Sequence, residues 1–381
     1  MEGIDTRSVD KKRLILFVAI AYGVSYLMMI PMYYGKQHGL DLTQMVNAQM
    51  CSPAAGVALG FLIFFKEDKR VPKLFMISLV LNYCIQLLLG LLSIFANPFG
   101  PEDVIDLYEL SGTTQIDPSL AGTAVLELGQ IYNFVGQYIL IIFSVLLWIG
   151  YFVARKERRK FAGLSRNNEA KGLLLILLFI VLYLVRIYVP GLIDAAFSNS
   201  VSEVLEQFAQ IYKNPLTYIA IVSLPFNYPL IIIAFLGEEY GWRYFLQPVM
   251  QKKFGMRLGV ILLGIVWGLW HIPVDTMFYT QDSIPQMIVG QIITCVFIGI
   301  FFGYAYLKTN NIWIPVAMHF LNNNLIPIMS GTLSADVLEN QHVEWINLVE
   351  ILIVDIIVFG MFIFAKEFKE KKETKTEAIN A

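Results

Sequence analysis

Charge is scarce in this 381-residue chain. Only 15% of residues are charged, against about 25% in an ordinary soluble domain, while 57% are hydrophobic and the mean hydropathy is +0.61. That composition argues against a soluble globular domain and for a polytopic membrane protein. A formal net charge of −2 gives no global pull toward nucleic acid. Cysteine is limited to Cys51, Cys84 and Cys295, all in apolar runs without CxxC spacing. They read as small core hydrophobes, which leaves no disulfide framework and no zinc–thiolate site. Histidine is rarer than proline or glycine: His38, His271, His319 and His342 complete the inventory, and no His-Glu-x-x-His occurs. No small-residue cleavage site follows the first apolar stretch, so it reads as a retained helix and not as a signal peptide. No connection is long enough for a soluble domain of useful size, so the chemistry has to lie in the bundle.

What is present is long apolar segments. A hydrocarbon core of ~30 Å needs about 20 residues of helix, and ten candidates meet or approach that length: roughly 14–34, 47–65, 74–96, 132–154, 173–193, 226–250, 257–274, 284–307, 311–328 and 345–365. The seventh and ninth are short, so the sequence predicts an all-α polytopic transmembrane helical bundle of about 8–10 spans. The apolar stretch 215–225 is set apart, because Pro225 and Pro229 are expected to break or kink it away from the sixth span. Lysine and arginine cluster before span one, in alternate connections (66–73, 155–171, 252–257, Lys308) and in the tail from Lys366. The other connections are nearly bare of them, and 97–131 is acidic. By the positive-inside rule, ten spans with both termini cytoplasmic satisfy every loop. Small-xxx-small pairs at Gly56/Gly60, Gly264/Gly268 and Gly299/Gly303 suit close helix packing.

Against that background a few ionisable residues stand where hydrocarbon would reject them, at a cost of several kcal/mol per charge by most scales. They are the run Gly237-Glu238-Glu239-Tyr240-Gly241-Trp242-Arg243 and the histidines His271 and His319. Glu238 lies 14 residues before Lys252, His271 lies 14 after Arg257, and His319 lies 11 after Lys308. At ~1.5 Å per helical residue these positions sit roughly 16–21 Å from the basic flank, one common level on three helices. Glu239 and Arg243 are spaced i, i+4 with the acid first, the favourable order for an ion pair. Glu238 points about 100° away, free to face the other helices. Glu239 with Arg243 therefore reads as structural support and Glu238 as the working carboxylate, placed for general-base chemistry. His319 and Asn323 share a face at i, i+4, which suits donation to a developing oxyanion. Trp267 and His271 repeat the spacing, with the indole able to wall the site or fix the ring.

These three motifs, Glu-Glu-x-x-x-Arg, aromatic-x-x-x-His and His-x-x-x-Asn, each on its own membrane helix, resemble those of the CAAX-protease and bacteriocin-processing (CPBP, or Abi) family. That family contains the type II CAAX prenyl endopeptidases. The likeness covers about 90 residues, 235–325, with order and spacing in agreement and Trp267 standing where phenylalanine is more frequent. It implies an intramembrane endopeptidase in which Glu238 and His271 activate a water while His319 and Asn323 stabilise the oxyanion. The implied substrate is a hydrophobic, lipidated or membrane-delivered peptide, prenylated or not, met among the lipids of a bacterial plasma membrane. The family is often labelled metalloprotease. Glu238, His271 and His319 are the residues that would hold a catalytic zinc ion, but Asn323 is a poor ligand, and a glutamate–water mechanism without a cofactor accounts for the same residues.

The chain divides into 1–210, membrane helices without an assigned role; 211–330, the protease-like core; and 331–381, a final helix with a charged tail. Two readings from other classes compete with proteolysis. One is a non-catalytic scaffold or bacteriocin-immunity protein that uses the same pocket to bind a peptide. The other is an ion-coupled transporter, which predicts inverted repeats; no pair of similar halves is present. Arg186, Glu350 and Asp355 also fall in apolar spans and read as structural, paired with one another or snorkelling. Tyr33, Tyr34 and Trp345 mark span ends at the interface.

Overall fold

The computed structural model describes residues 11–95, 104–106, 125–127, 131–333 and 335–369. They form an all-α polytopic bundle in eleven principal helices: α1 (Lys11–Gln37), α2 (Thr43–Phe64), α3 (Lys73–Phe95), α4 (Ile131–Val153), α5 (Glu169–Phe197), α6 (Val201–Lys213), α7 (Pro215–Phe254), α8 (Met256–Tyr279), α9 (Ile284–Thr309), α10 (Trp313–Met329) and α11 (Trp345–Phe364). Among the described residues nine of these are long and apolar enough to cross a membrane, and α10 falls short at 17 residues. The protein is an integral membrane protein. Val104–Asp106 and Val125–Glu127 pair as a small antiparallel ladder. The rest of the acidic 97–131 connection lies outside the described residues, as do Arg7 and the tail beyond Lys369.

Each expected span has a helix, but three details differ from the sequence expectations. Helix α7 starts at Pro215 and absorbs the segment 215–225. The expected kink is present: the backbone is non-helical at Ile231 (φ −124°, ψ 16°), two residues past Pro229, so two helical stretches meet there. Pro229 lacks an amide hydrogen and its ring crowds the carbonyl one turn back, which costs the helix its regular ladder there. Helix α8 runs past Pro273 to Tyr279, because the helix restarts at Ile272 and proline is tolerated in a first turn. Cys84 is exposed, unlike the buried Cys51 and Cys295, so it is not a core residue. The amphipathic α6 buries no residue completely; Phe208 packs on Tyr188 of α5 at 4.5 Å between ring centres.

The site is set by where α7 lies. It packs between α2 and α10, while α8 packs along α9. Gly237 and Gly241 face α2: a β-carbon on Gly237 would stand 2.6 Å from the Met50 carbonyl oxygen, and one on Gly241 would strike Pro53. Gly264 and Gly268 face Val296 and Ile292 of α9, the close contact their spacing predicts. In lipid the apolar surfaces alone give helices little reason to associate, so polar side chains also tie them. Gln49 Nε2 donates to the Trp270 carbonyl (2.9 Å), Gln86 Nε2 to the Gly136 carbonyl (3.0 Å), and Gln44 pairs with Gln86. Replacing Gly237 by valine should push α2 from α7 and destabilise the fold by about 1–3 kcal/mol. Thermal unfolding in detergent checks this, and an unchanged midpoint would contradict the close approach.

Candidate active site at the crossing of α7, α8 and α10

The sequence Glu238-Glu239 falls where the regular turns of α7 give way to a π-helical stretch, Tyr240–Leu246. Such a widened turn re-aims the side chains around it and is frequent at functional sites. Both carboxylates are buried, Glu238 at 2% and Glu239 at 0% exposure, and they face different neighbours. Glu239 Oε2 accepts from Arg243 Nε at 2.9 Å, the i, i+4 pair expected from the spacing. Its Oε1 lies 2.9 Å from His319 Nδ1, a contact that spacing along one helix cannot reveal. Glu238 Oε2 accepts from two indoles, Trp267 Nε1 at 2.8 Å and Trp242 Nε1 at 3.3 Å. Glu238 Oε1 is left facing His319 Nε2 at 3.9 Å, too far for a direct hydrogen bond.

Arg243 is fully buried, and beyond Glu239 its charge is met by aromatic faces. The guanidinium carbon lies 4.8 Å from the Trp267 ring centre and 5.6 Å from that of Phe302. Gly299 of α9 lies beside it, where a β-carbon would make an ordinary van der Waals contact with both terminal nitrogens at 3.7 Å. Arg243, Glu239 and His319 thus form one buried chain of contacts across α7 and α10.

His271 ends the first part of α8, and its Nδ1 lies 2.9 Å from the Trp267 carbonyl oxygen. A carbonyl can only accept, so Nδ1 carries the hydrogen and Nε2 keeps its lone pair. The same argument at Glu239 puts a hydrogen on His319 Nδ1 and makes Nε2 the free ring atom. On α10, Asn323 Oδ1 accepts from Asn322 Nδ2 at 2.8 Å, so the amide nitrogen of Asn323 is the end left to donate. Glu238, Trp267, His271, His319 and Asn323 all line a single cavity of about 260 Å³, also walled by Arg186, Gln291 and Cys295. Glu239 and Arg243 lie behind it.

Sequence reasoning misses Trp242, although Glu238 and Trp242 stand at the same i, i+4 spacing that identifies Glu239 with Arg243. Arg186, expected to be structural, does pair with Asp355, Nε to Oδ1 at 2.8 Å, and Glu350 takes no part. It also reaches the cavity. Among the described residues no three His, Cys, Asp or Glu side chains are gathered closely enough to hold a metal ion.

Residues 216–325 match the family model described as type II CAAX prenyl endopeptidase Rce1-like. The chain is 29% identical over 115 residues to a protein of Methanococcus maripaludis named CAAX prenyl protease 2. That stretch spans 27% of this chain and 41% of the relative, so less than half of the relative's length is matched. No solved structure matches the chain. Residues 216–325 contain every residue of the three motifs, and over that segment the chain is similar to the CAAX-protease family.

Proposed function

We propose that the protein is an intramembrane endopeptidase that hydrolyses a peptide bond in a hydrophobic, lipidated or membrane-delivered substrate. The observation that carries this reading is the meeting of Glu238, His271, His319 and Asn323 in one buried cavity, from three helices. The name of the Methanococcus maripaludis relative favours prenylated peptides among such substrates. Placement in a bacterial plasma membrane is part of the same proposal, and the orientation with both termini cytoplasmic follows the distribution of lysine and arginine.

The two indoles hold Glu238 by Oε2 and leave Oε1 as the basic atom. Oε1 takes a proton from water as the water oxygen attacks the substrate carbonyl carbon, and His271 Nε2 accepts the second water hydrogen and orients the nucleophile. Negative charge gathers on the carbonyl oxygen. Asn323 Nδ2 and a protonated His319, held by Glu239, donate to it. Glu238 then returns its proton to the leaving nitrogen, the oxyanion collapses to a carbonyl as the carbon–nitrogen bond breaks, and the new carboxylic acid gives its remaining proton to His271 Nε2, leaving carboxylate and amine products. The glutamate–water route assigns no step to a metal ion.

The test is a reconstituted assay. Purified protein in phosphatidylcholine vesicles, given an S-farnesylated peptide with an aliphatic C-terminal tripeptide, should release a fragment visible by mass spectrometry. Prior treatment with EDTA and 1,10-phenanthroline should leave the rate unchanged within about twofold. Fragment yield no higher than from empty vesicles would overturn the protease reading, and loss of activity restored by added zinc would overturn the metal-independent mechanism.

A further inference from the structure

An arginine within a membrane span is costly and calls for an explanation. Arg186 lies 15 residues beyond Lys171 on α5, roughly 22 Å from the basic flank at ~1.5 Å per residue. That is the level of Glu238 and His271. The pair with Asp355 supplies a structural account, a tie between α5 and α11, but it leaves the arrangement of the pair unexplained. Asp355 is fully buried and is not part of the cavity wall, whereas Arg186 is. The cation is presented and its counter-ion is kept behind it.

Two of the five guanidinium N–H groups are engaged. Nε donates to Asp355 Oδ1 at 2.8 Å and Nη2 to Thr294 Oγ1 at 2.7 Å. Those contacts fix the plane of the group, and among the described residues Nη1 meets no acceptor. Arg186 is the cationic side chain in the cavity lining, Glu238 is the acidic one, and Thr294 and Gln291 add neutral polar groups beside Arg186. The distance to the chemistry is short in sequence terms. Thr294 is followed by Cys295, whose Sγ lies 3.8 Å from His271 Nδ1. A planar guanidinium pinned on one edge and open on another is matched to an oxyanion with two acceptors.

Resting on the protease reading, we propose that Arg186 is a specificity-determining residue that receives a carboxylate of the bound peptide, a few residues away from the scissile bond. Asp355 and Thr294 are positioning residues that hold the guanidinium toward the cavity. The carboxylate comes either from a free C-terminus or from an acidic side chain near the cut, and the two sources are separable by peptide chemistry.

Binding is measured with the turnover-impaired Glu238→Gln protein in phosphatidylcholine vesicles, by fluorescence anisotropy of three labelled S-farnesylated peptides. Two share one sequence and end in a free acid or an amide, and the third is the amide with aspartate as its last residue. At least one carboxylate peptide should bind about tenfold or more tightly than the plain amide. The acid-to-amide ratio should fall to about one when Arg186→Gln is added, and Arg186→Lys should restore part of it. Taking a ratio within each variant cancels any loss of folded protein. Equal binding of all three peptides by the parent protein, or an unchanged ratio in Arg186→Gln, would overturn the proposal. Because no turnover is needed, this result stands apart from the cleavage assay: failure to cut any peptide sinks the protease reading, whereas indifferent binding sinks only the anchor.

Discussion

Glu238→Gln is expected to lower the rate of peptide cleavage by about a thousandfold or more, with the protein still folded in the membrane. General-base catalysis alone accounts for about 10²- to 10⁴-fold, and here the same carboxyl also returns the proton to the leaving group. The isosteric amide matters for the second half of the expectation. Glu238 Oε2 is the acceptor for both Trp267 and Trp242, and a glutamine keeps an oxygen that can serve them. Alanine would strand two buried indole N–H groups, at about 1–3 kcal/mol for each group left unmade. Rates on the farnesylated peptide, together with a thermal unfolding midpoint within a few degrees of the parent, make the check. Turnover undiminished in Glu238→Gln would remove the proposed base from the mechanism. Complementation in cells adds a second readout, since a scaffold would work as well with glutamine as with glutamate.

Arg243→Ala should act on the fold first. Its guanidinium and the Glu239 carboxylate are both fully buried, and removing one partner leaves the other as an uncompensated charge, at about 3–5 kcal/mol. Glu239 also holds His319, so the loss should spread from α7 to α10 and abolish activity along with stability. Arg243→Lys should rescue little. An ammonium lacks the flat face that lies against Trp267 and Phe302. The measurement is thermal unfolding in detergent, with Lys and Ala variants beside the parent; a shift of under a degree in either would falsify this account of the pair.

The membrane makes much of this legible in the chain itself. Burying charge in hydrocarbon is expensive enough that Glu238, His271 and His319 stand out, and counting from basic flanks places them at one level without any coordinates. Spans are readable for the same reason, by length and apolarity. What escapes is rotation and detail within helices. The count assumes regular α-helix, so the π-helical turn at Tyr240–Leu246 is invisible to it, and with it the sharing of Glu238 between Trp242 and Trp267. Proline gives a reliable warning of irregularity but not its outcome: Pro225 and Pro229 bend α7, and Pro273 leaves α8 running on. Helix α6 carries apolar residues at helical spacing (Val204, Leu205, Phe208, Ile211), yet its glutamates put it below any search for spans. Arg186 is legible as a membrane arginine with Asp355 as partner, but which of the two faces a cavity depends on packing between α5, α9 and α11.

Trp267 grips two chemical groups at once, Glu238 through its indole hydrogen and His271 through its main-chain oxygen. The water-handling pair is thereby yoked to one rung of α8, while His319 and Asn323 ride on α10. If those two helices slide apart as a peptide threads between them, proton abstraction keeps its internal alignment, and the spacing that changes is the one between nucleophile and oxyanion donors. Substrate seating would then govern when the two halves of the catalyst come into reach.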